Sequence, residues 1–155
     1  MTRIGAWIVA TLLGSAAAQA GNAVCTVAVS GVAFGSFNPL SGQSASTNGT
    51  IAVTCSGAPS DTASYTIAIT SGLGSFSARK MAAGSDSLTY NLYKDSTCTQ
   101  VWGDGTGSTF TVSDSVTLTS TSVTTNYVVY SRIAAAQRGA KVNAYSDNLL
   151  VTVTY

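Results

Sequence analysis

The chain has 155 residues, of which 45% are hydrophobic and only 8% charged: seven Lys and Arg stand against six Asp, with no Glu and no His. Without His there is no imidazole for general-base or metal work, and paired-carboxylate hydrolysis would have to draw on scattered Asp. No basic patch is present for nucleic acid, and the length predicts one domain.

The first twenty residues stand apart from that domain. Arg3 supplies a positive start, Ile4–Leu13 is apolar with only small residues and Thr11 interrupting it, and Ala18-Gln19-Ala20 has the small-x-small form of a signal-peptidase site. The apolar run is short and lacks a charged stop-transfer patch, so residues 1–20 are expected to be a signal peptide and residues 21–155 the exported domain, with no membrane span in the mature chain. Removing Arg3 leaves six basic residues against six Asp.

From Cys25 onward, period-two alternation dominates and predicts half-buried antiparallel strands. Thr26–Val29 and Val32–Phe37 come first, closed by Asn38-Pro39. Ile51, Val53 and Cys55 then share one face, with Thr50, Ala52 and Thr54 opposite. After a turn at Gly57-Ala58-Pro59-Ser60-Asp61 the pattern repeats in Tyr65, Ile67 and Ile69, and again in Leu88, Tyr90 and Leu92. Gly103-Asp104-Gly105 and Ser113-Asp114 read as turns, the second separating strands at Thr109–Val112 and Ser115–Leu118. Asn126–Ile133 follows, then Ile133–Arg138, a helical stretch too short to be more than a turn. Leu149, Val151, Val153 and Tyr155 form the closing strand. Short, regularly spaced strands of β-branched and aromatic residues predict an all-β sandwich.

Cys25, Cys55 and Cys98 allow one bridge and one leftover thiol, and in an exported chain cysteines read first as disulfides. Cys25 and Cys55 lie at ends of predicted strands and are expected to staple two neighbours. Cys98, in the polar loop Asp95–Gln100, is left free, paired with another chain, or in a different intramolecular pair.

No catalytic, metal or cofactor site is expected. Gly-x-Ser-x-Gly does not occur, Cys98 has no His to activate it, and Gly103-Asp104-Gly105-Thr106-Gly107 lacks the Lys and helix of a phosphate loop. Too few carboxylates surround Asp104 for Ca²⁺. Trp102, Tyr90 and Tyr93 are close in sequence and could form a carbohydrate platform, but core packing is the simpler reading: Tyr90 alternates with Leu88 and Leu92, whereas Tyr93 has the opposite parity. Arg79-Lys80 reads as solvated surface.

The order of several fragments resembles the spore coat protein U domain, the module of archaic (Csu-type) chaperone–usher pilus subunits. The fragments are Cys25-Thr26-Val27, Val32-Ala33-Phe34-Gly35-Ser36-Phe37-Asn38-Pro39, Gly49–Cys55, Arg79-Lys80-Met81, Leu88-Thr89-Tyr90-Asn91-Leu92-Tyr93, Val101-Trp102-Gly103-Asp104-Gly105, Tyr130-Ser131-Arg132-Ile133 with Gln137, Tyr145-Ser146-Asp147, and Val151–Tyr155. One departure is local: the family carries Gly shortly before its Tyr-x-Asp element, where this chain has Ala144 and its nearest Gly at Gly139.

The resemblance implies an immunoglobulin-like antiparallel sandwich lacking its last strand. A periplasmic chaperone would fill the resulting groove first and a neighbouring subunit's N-terminal extension afterwards, an usher completing the partner set. The acceptor edge would be the closing strand, with Leu149, Val151, Val153 and Tyr155. A donor segment needs on the order of ten extended residues with alternating apolar side chains. Only Gly21-Asn22-Ala23-Val24 precede Cys25 after cleavage at Ala20. The implied protein is a non-catalytic structural subunit, secreted through the periplasm to a cell surface or pilus, that accepts a strand and is tip or terminal. The alternative is a free-standing secreted adhesin or carbohydrate-binding domain.

Overall fold

The computed structural model describes the backbone of Arg3–Gly5 and Trp7–Ala10 and all of residues 23–155. The expected cleavage motif Ala18-Gln19-Ala20 lies outside the described residues. Among the described residues there are eleven strands: β1 (Arg3–Gly5), β2 (Trp7–Ala10), β3 (Val24–Ser30), β4 (Ala33–Ser36), β5 (Ala45–Ser56), β6 (Thr62–Ile69), β7 (Arg79–Ala83), β8 (Asp86–Tyr93), β9 (Val112–Thr117), β10 (Ser122–Ile133) and β11 (Asn148–Thr154). No helix occurs among the described residues.

The strands form an all-β sandwich. One sheet has the order β3-β5-β10-β8-β7, the other β2-β11-β6-β9, and β1 pairs with β4. Every pairing is antiparallel except that of β2 with β11. Alternation places Ile51, Val53 and Cys55 of one sheet inside, facing Tyr65, Ile67, Ile69, Leu149, Val151 and Val153 of the other. The ladder between β5 and β10 is the longest, running in unbroken register from Ala45↔Ile133 to Ser56↔Ser122.

Cys25 and Cys55 sit directly opposite each other in the β3–β5 ladder and are disulfide-bonded, both fully buried. Cys98 is unpaired and half-buried. Its φ of +55° belongs to a tight turn in which its amide donates to the Asp95 carbonyl.

Three expectations need correction. Ser113-Asp114 is not a turn: β9 runs straight through it from Val112 to Thr117, while Thr109–Thr111 of the first expected strand lie outside it. Its small polar residues are held by hydroxyl pairs across the ladder, Thr62–Thr117 at 3.1 Å, Ser64–Ser115 at 2.9 Å and Thr66–Ser113 at 3.1 Å. Asp114, opposite Tyr65, accepts the Tyr127 hydroxyl at 2.5 Å. Arg79 is not surface: it is fully buried on β7, while Lys80 beside it is exposed. Tyr155 lies past the end of β11 and is 44% exposed, so only Leu149, Val151 and Val153 of the expected set line the core.

The bridge closes a sequence separation of 30 residues. Cys55→Ala should therefore cost about 2–5 kcal/mol, read as a lowered midpoint in chemical denaturation of the oxidised protein. Non-reducing peptide mapping should recover Cys25 joined to Cys55, and a peptide joining Cys98 to either would contradict the assignment.

Candidate functional site

β11 pairs with β6 through Val151↔Ile69, Thr152↔Ala68, Val153↔Ile67 and Thr154↔Thr66. Just before that ladder, Leu150 donates its amide to Thr70 Oγ1 at 3.0 Å and accepts the Thr70 amide at 3.0 Å. Backbone groups alternate sides along a strand, so the amides of Leu149 and Val151 face away from β6. The side chains of those two residues are nevertheless buried, at 2% and 0% exposure. β11 therefore belongs to the core by its side chains and presents an edge by its backbone.

Along Asn148–Val151 that edge is covered by β2, in parallel register: Asn148↔Trp7, Leu149↔Ile8, Leu150↔Val9 and Val151↔Ala10. β2 also lies against β3, the outer strand of the facing sheet. It thus occupies the side of the sandwich between β11 and β3.

The start of β11 is anchored by a buried polar cluster. Asp147, 2% exposed, accepts the Tyr90 hydroxyl at 2.7 Å and the Leu73 amide at 3.3 Å. Burial and the neighbouring Asp147 carboxylate both push the Tyr90 phenol far up, so it stays a hydrogen-bond donor. Arg79 fills the space alongside. Its guanidinium donates to the Thr70 carbonyl from Nε at 3.1 Å and from Nη2 at 2.9 Å, to the Trp102 carbonyl at 2.7 Å and to Asn91 Oδ1 at 2.6 Å. Burial lowers its pKa to about 10, which leaves it charged at neutral pH. Asn91 in turn donates to the Phe76 carbonyl at 2.8 Å. No buried side-chain nitrogen or oxygen among the described residues lacks a partner.

Most residues singled out in the sequence converge on this cluster. Phe34 meets Tyr90 edge-on, with ring centroids 6.1 Å apart. Leu92 is buried in β8 beside Asn91. Trp102 is buried and donates from Nε1 to the Ile67 carbonyl at 3.1 Å. Gly103 accepts the Ile69 amide, and a Cβ there would stand 2.5 Å from Thr109 Oγ1 and 2.6 Å from Thr109 Cβ, so the close approach requires glycine. Tyr145 is buried and donates to the Lys141 carbonyl at 2.9 Å.

Others do not join it. Gly35 is in β4 at a φ of +67°. Asp104 caps its own loop by accepting from the Thr106 amide and hydroxyl, and Gly105 donates to Thr109 Oγ1. Tyr93 is half-buried with the Arg132 guanidinium 5.5 Å from its ring centre, beside a cleft of about 340 Å³. With Tyr90 and Trp102 in the core, the three aromatics form no common platform.

The residues missed from the sequence are Arg79, Asn91 and Thr70. Asn91 carried a signal: it interrupts the apolar run Leu88–Tyr93 on the side expected to face outward, yet is 6% exposed. Among the described residues no group of three His, Cys, Asp or Glu could hold a metal, and no helix is long and apolar enough to cross a membrane.

A family model described as Spore Coat Protein U domain matches residues 10–152 of the chain. No curated protein matches it.

Removing the guanidinium would leave the Thr70 and Trp102 carbonyls and Asn91 Oδ1 without their donor. Arg79→Met should lower stability by about 3–5 kcal/mol, whereas Lys80→Met should stay within about 0.5 kcal/mol; urea denaturation of the two variants separates a buried brace from a solvated pair. Asp95 offers a pH handle. Its hydrogen bond from the Thr97 hydroxyl is the first cause holding its carboxyl well below the usual carboxylate range, helped by the Gln100 and Thr99 amides. A depressed carboxylate stabilises the fold above the ordinary carboxylate pKa of about 3.9, and the effect fades as pH falls toward the depressed value. An NMR titration should place the Asp95 midpoint below that ordinary value, with the Thr99 and Gln100 amide signals moving in the same step.

Proposed function

The chain belongs to the spore coat protein U domain family, a family of structural, pilus-type subunits, and on that premise we propose that its domain is a non-catalytic subunit that accepts a donor strand along β11. The observation that carries this reading is the divided state of β11. Leu149, Val151 and Val153 are committed to the core, while the amides of Leu149 and Val151 point to an edge whose cover comes from the N-terminal segment. A strand added there would gain backbone hydrogen bonds and would close the side of the sandwich between β11 and β3.

The same reading makes the protein an exported surface component. Its partners are a periplasmic chaperone, an usher and neighbouring subunits, met in the course of secretion through the periplasm. Processing after Ala20 leaves Gly21-Asn22-Ala23 before β3, and β3 is itself bound into the sheet by its ladder to β5 and the Cys25–Cys55 bridge. Those three residues are too few to serve as a donor strand, so we place the subunit at the tip or terminus of an assembly.

An alternating apolar strand fused after Tyr155 through a short flexible linker tests the acceptor role in the protein lacking residues 1–20. Each apolar side chain seated between β11 and β3 should contribute roughly 1.5–3 kcal/mol, so the fusion should melt well above its unfused counterpart. Equal melting temperatures would mean that the sheet is complete without an added strand. Linear fibres of the unfused protein would instead refute the terminal placement.

A further inference from the structure

We propose that the N-terminal apolar segment Trp7–Ala10 caps the β11 edge of its own chain, so that the edge opens to an external strand only when that segment is detached. The consequence for strand acceptance rests on the reading given under Proposed function; the cap itself rests on geometry.

Three observations carry it. The parallel register sets Ile8 opposite Leu149 and Ala10 opposite Val151, the two β11 residues that are both buried and aimed by their amides away from β6. Each backbone amide can satisfy one strand at a time, so a second strand cannot take the same edge while β2 holds it. Trp-Ile-Val-Ala has no charge and no Pro, and is rich in residues suited to a half-buried strand. The neighbouring pairing of Arg3–Gly5 with β4 holds the segment at a second point.

Tethering gives this cap an advantage over any partner in solution. A segment on the same chain is present at an effective concentration on the order of millimolar when its linker spans the distance, and a free strand must compete with that. Hydrolysis of one peptide bond between Ala10 and β3, with water adding across it, ends the tether and turns the cap into an ordinary dissociable peptide. The removal of the leader would then do two things at once: release the chain for its destination and open its acceptor edge.

The test uses the full chain, produced without export, with a site-specific protease sequence inserted after Ala18. In the uncut chain, cross-strand NOEs should connect Trp7–Ala10 with Asn148–Val151. The amides of Leu149 and Val151 should exchange with solvent as slowly as that of Leu150, which is held by Thr70. After cutting and separation of the released segment, Leu149 and Val151 should exchange at least ~10-fold faster while Leu150 stays slow. Val9→Pro in the uncut chain should weaken the NOEs and speed the same two amides without any cut. A synthetic alternating apolar peptide should bind the cut form only. Fast exchange of Leu149 and Val151 in the uncut chain with no NOEs to Trp7–Ala10 would overturn the cap, and so would equal peptide capture by cut and uncut forms. If neither form captures the peptide yet both amides respond to the cut, the cap stands and the acceptor reading falls.

Discussion

Leu150 gives its amide to Thr70 Oγ1 and its carbonyl to the Thr70 amide, and that exchange fixes which way the neighbouring backbone groups of β11 point. Because side chains and backbone groups each alternate along a strand, Leu149 and Val151 cannot both bury their side chains beside Ile67 and Ile69 and keep their amides within reach of β6. Their amides must find a partner on the far side. An unpaired amide beside a core residue is costly unless water or another strand reaches it, so the identity of that partner decides whether the sheet is finished. In the full chain it is β2; in a shortened chain it must be something else.

The cluster at the head of β11 fixes this strand by contacts that do not involve β2. Burying a guanidinium is expensive, and Arg79 has no carboxylate in direct contact. What offsets the desolvation is a full set of acceptors: two backbone carbonyls, one of them bonded twice, and an amide oxygen. These acceptors belong to the segment after β6, the segment before β9 and β8, so a single side chain from β7 ties one sheet to the connections of the other. Asp147 extends the tie to β11 through Tyr90 and Leu73. The only ion pair among the described residues joins the exposed Lys141 to the half-buried Asp86 at 3.1 Å and adds little by comparison.

The strands from Cys25 onward were legible because alternation is a strong signal where one face is buried and the other wet. Ile51-Val53-Cys55, Tyr65-Ile67-Ile69 and Leu149-Val151-Val153 all lie inside as their parity requires. The signal fails where turn-favouring residues fall inside a strand whose apolar face is only Val112 and Val116. Ser113-Asp114 reads as a turn because both residues favour turns in isolation, and it is the ladder to β6, with the Thr66 hydroxyl on Ser113 and the Tyr127 hydroxyl of β10 on Asp114, that makes them strand residues. Arg79 fails for a related reason: nothing local distinguishes a guanidinium bound for solvent from one whose four hydrogen bonds come from residues 9 to 23 positions away. The closing strand was legible as an apolar edge, but its polarity and the reach of its cover were not. Those depend on where Thr70 sits, which only the folded chain defines.

The two walls of the gap beside β11 are secured by unlike means, and neither depends on the strand that fills it. β3 is held to β5 by seven register pairs and by the bridge between Cys25 and Cys55 within them. β11 is held to β6 by its own ladder and to the opposite sheet by Asp147 and the Arg79 cluster. A disulfide constrains chiefly the unfolded chain, whereas the buried polar cluster acts through specific geometry in the folded one. On the proposed reading, their combination would let the sandwich give up β2 without the remaining edges drifting together, because collapse would have to break either a covalent bond or a fully satisfied network. On the proposed acceptor reading, a strand added beside β11 would meet backbone groups and apolar side chains already in place, and little of its binding energy would be spent on ordering the receptor.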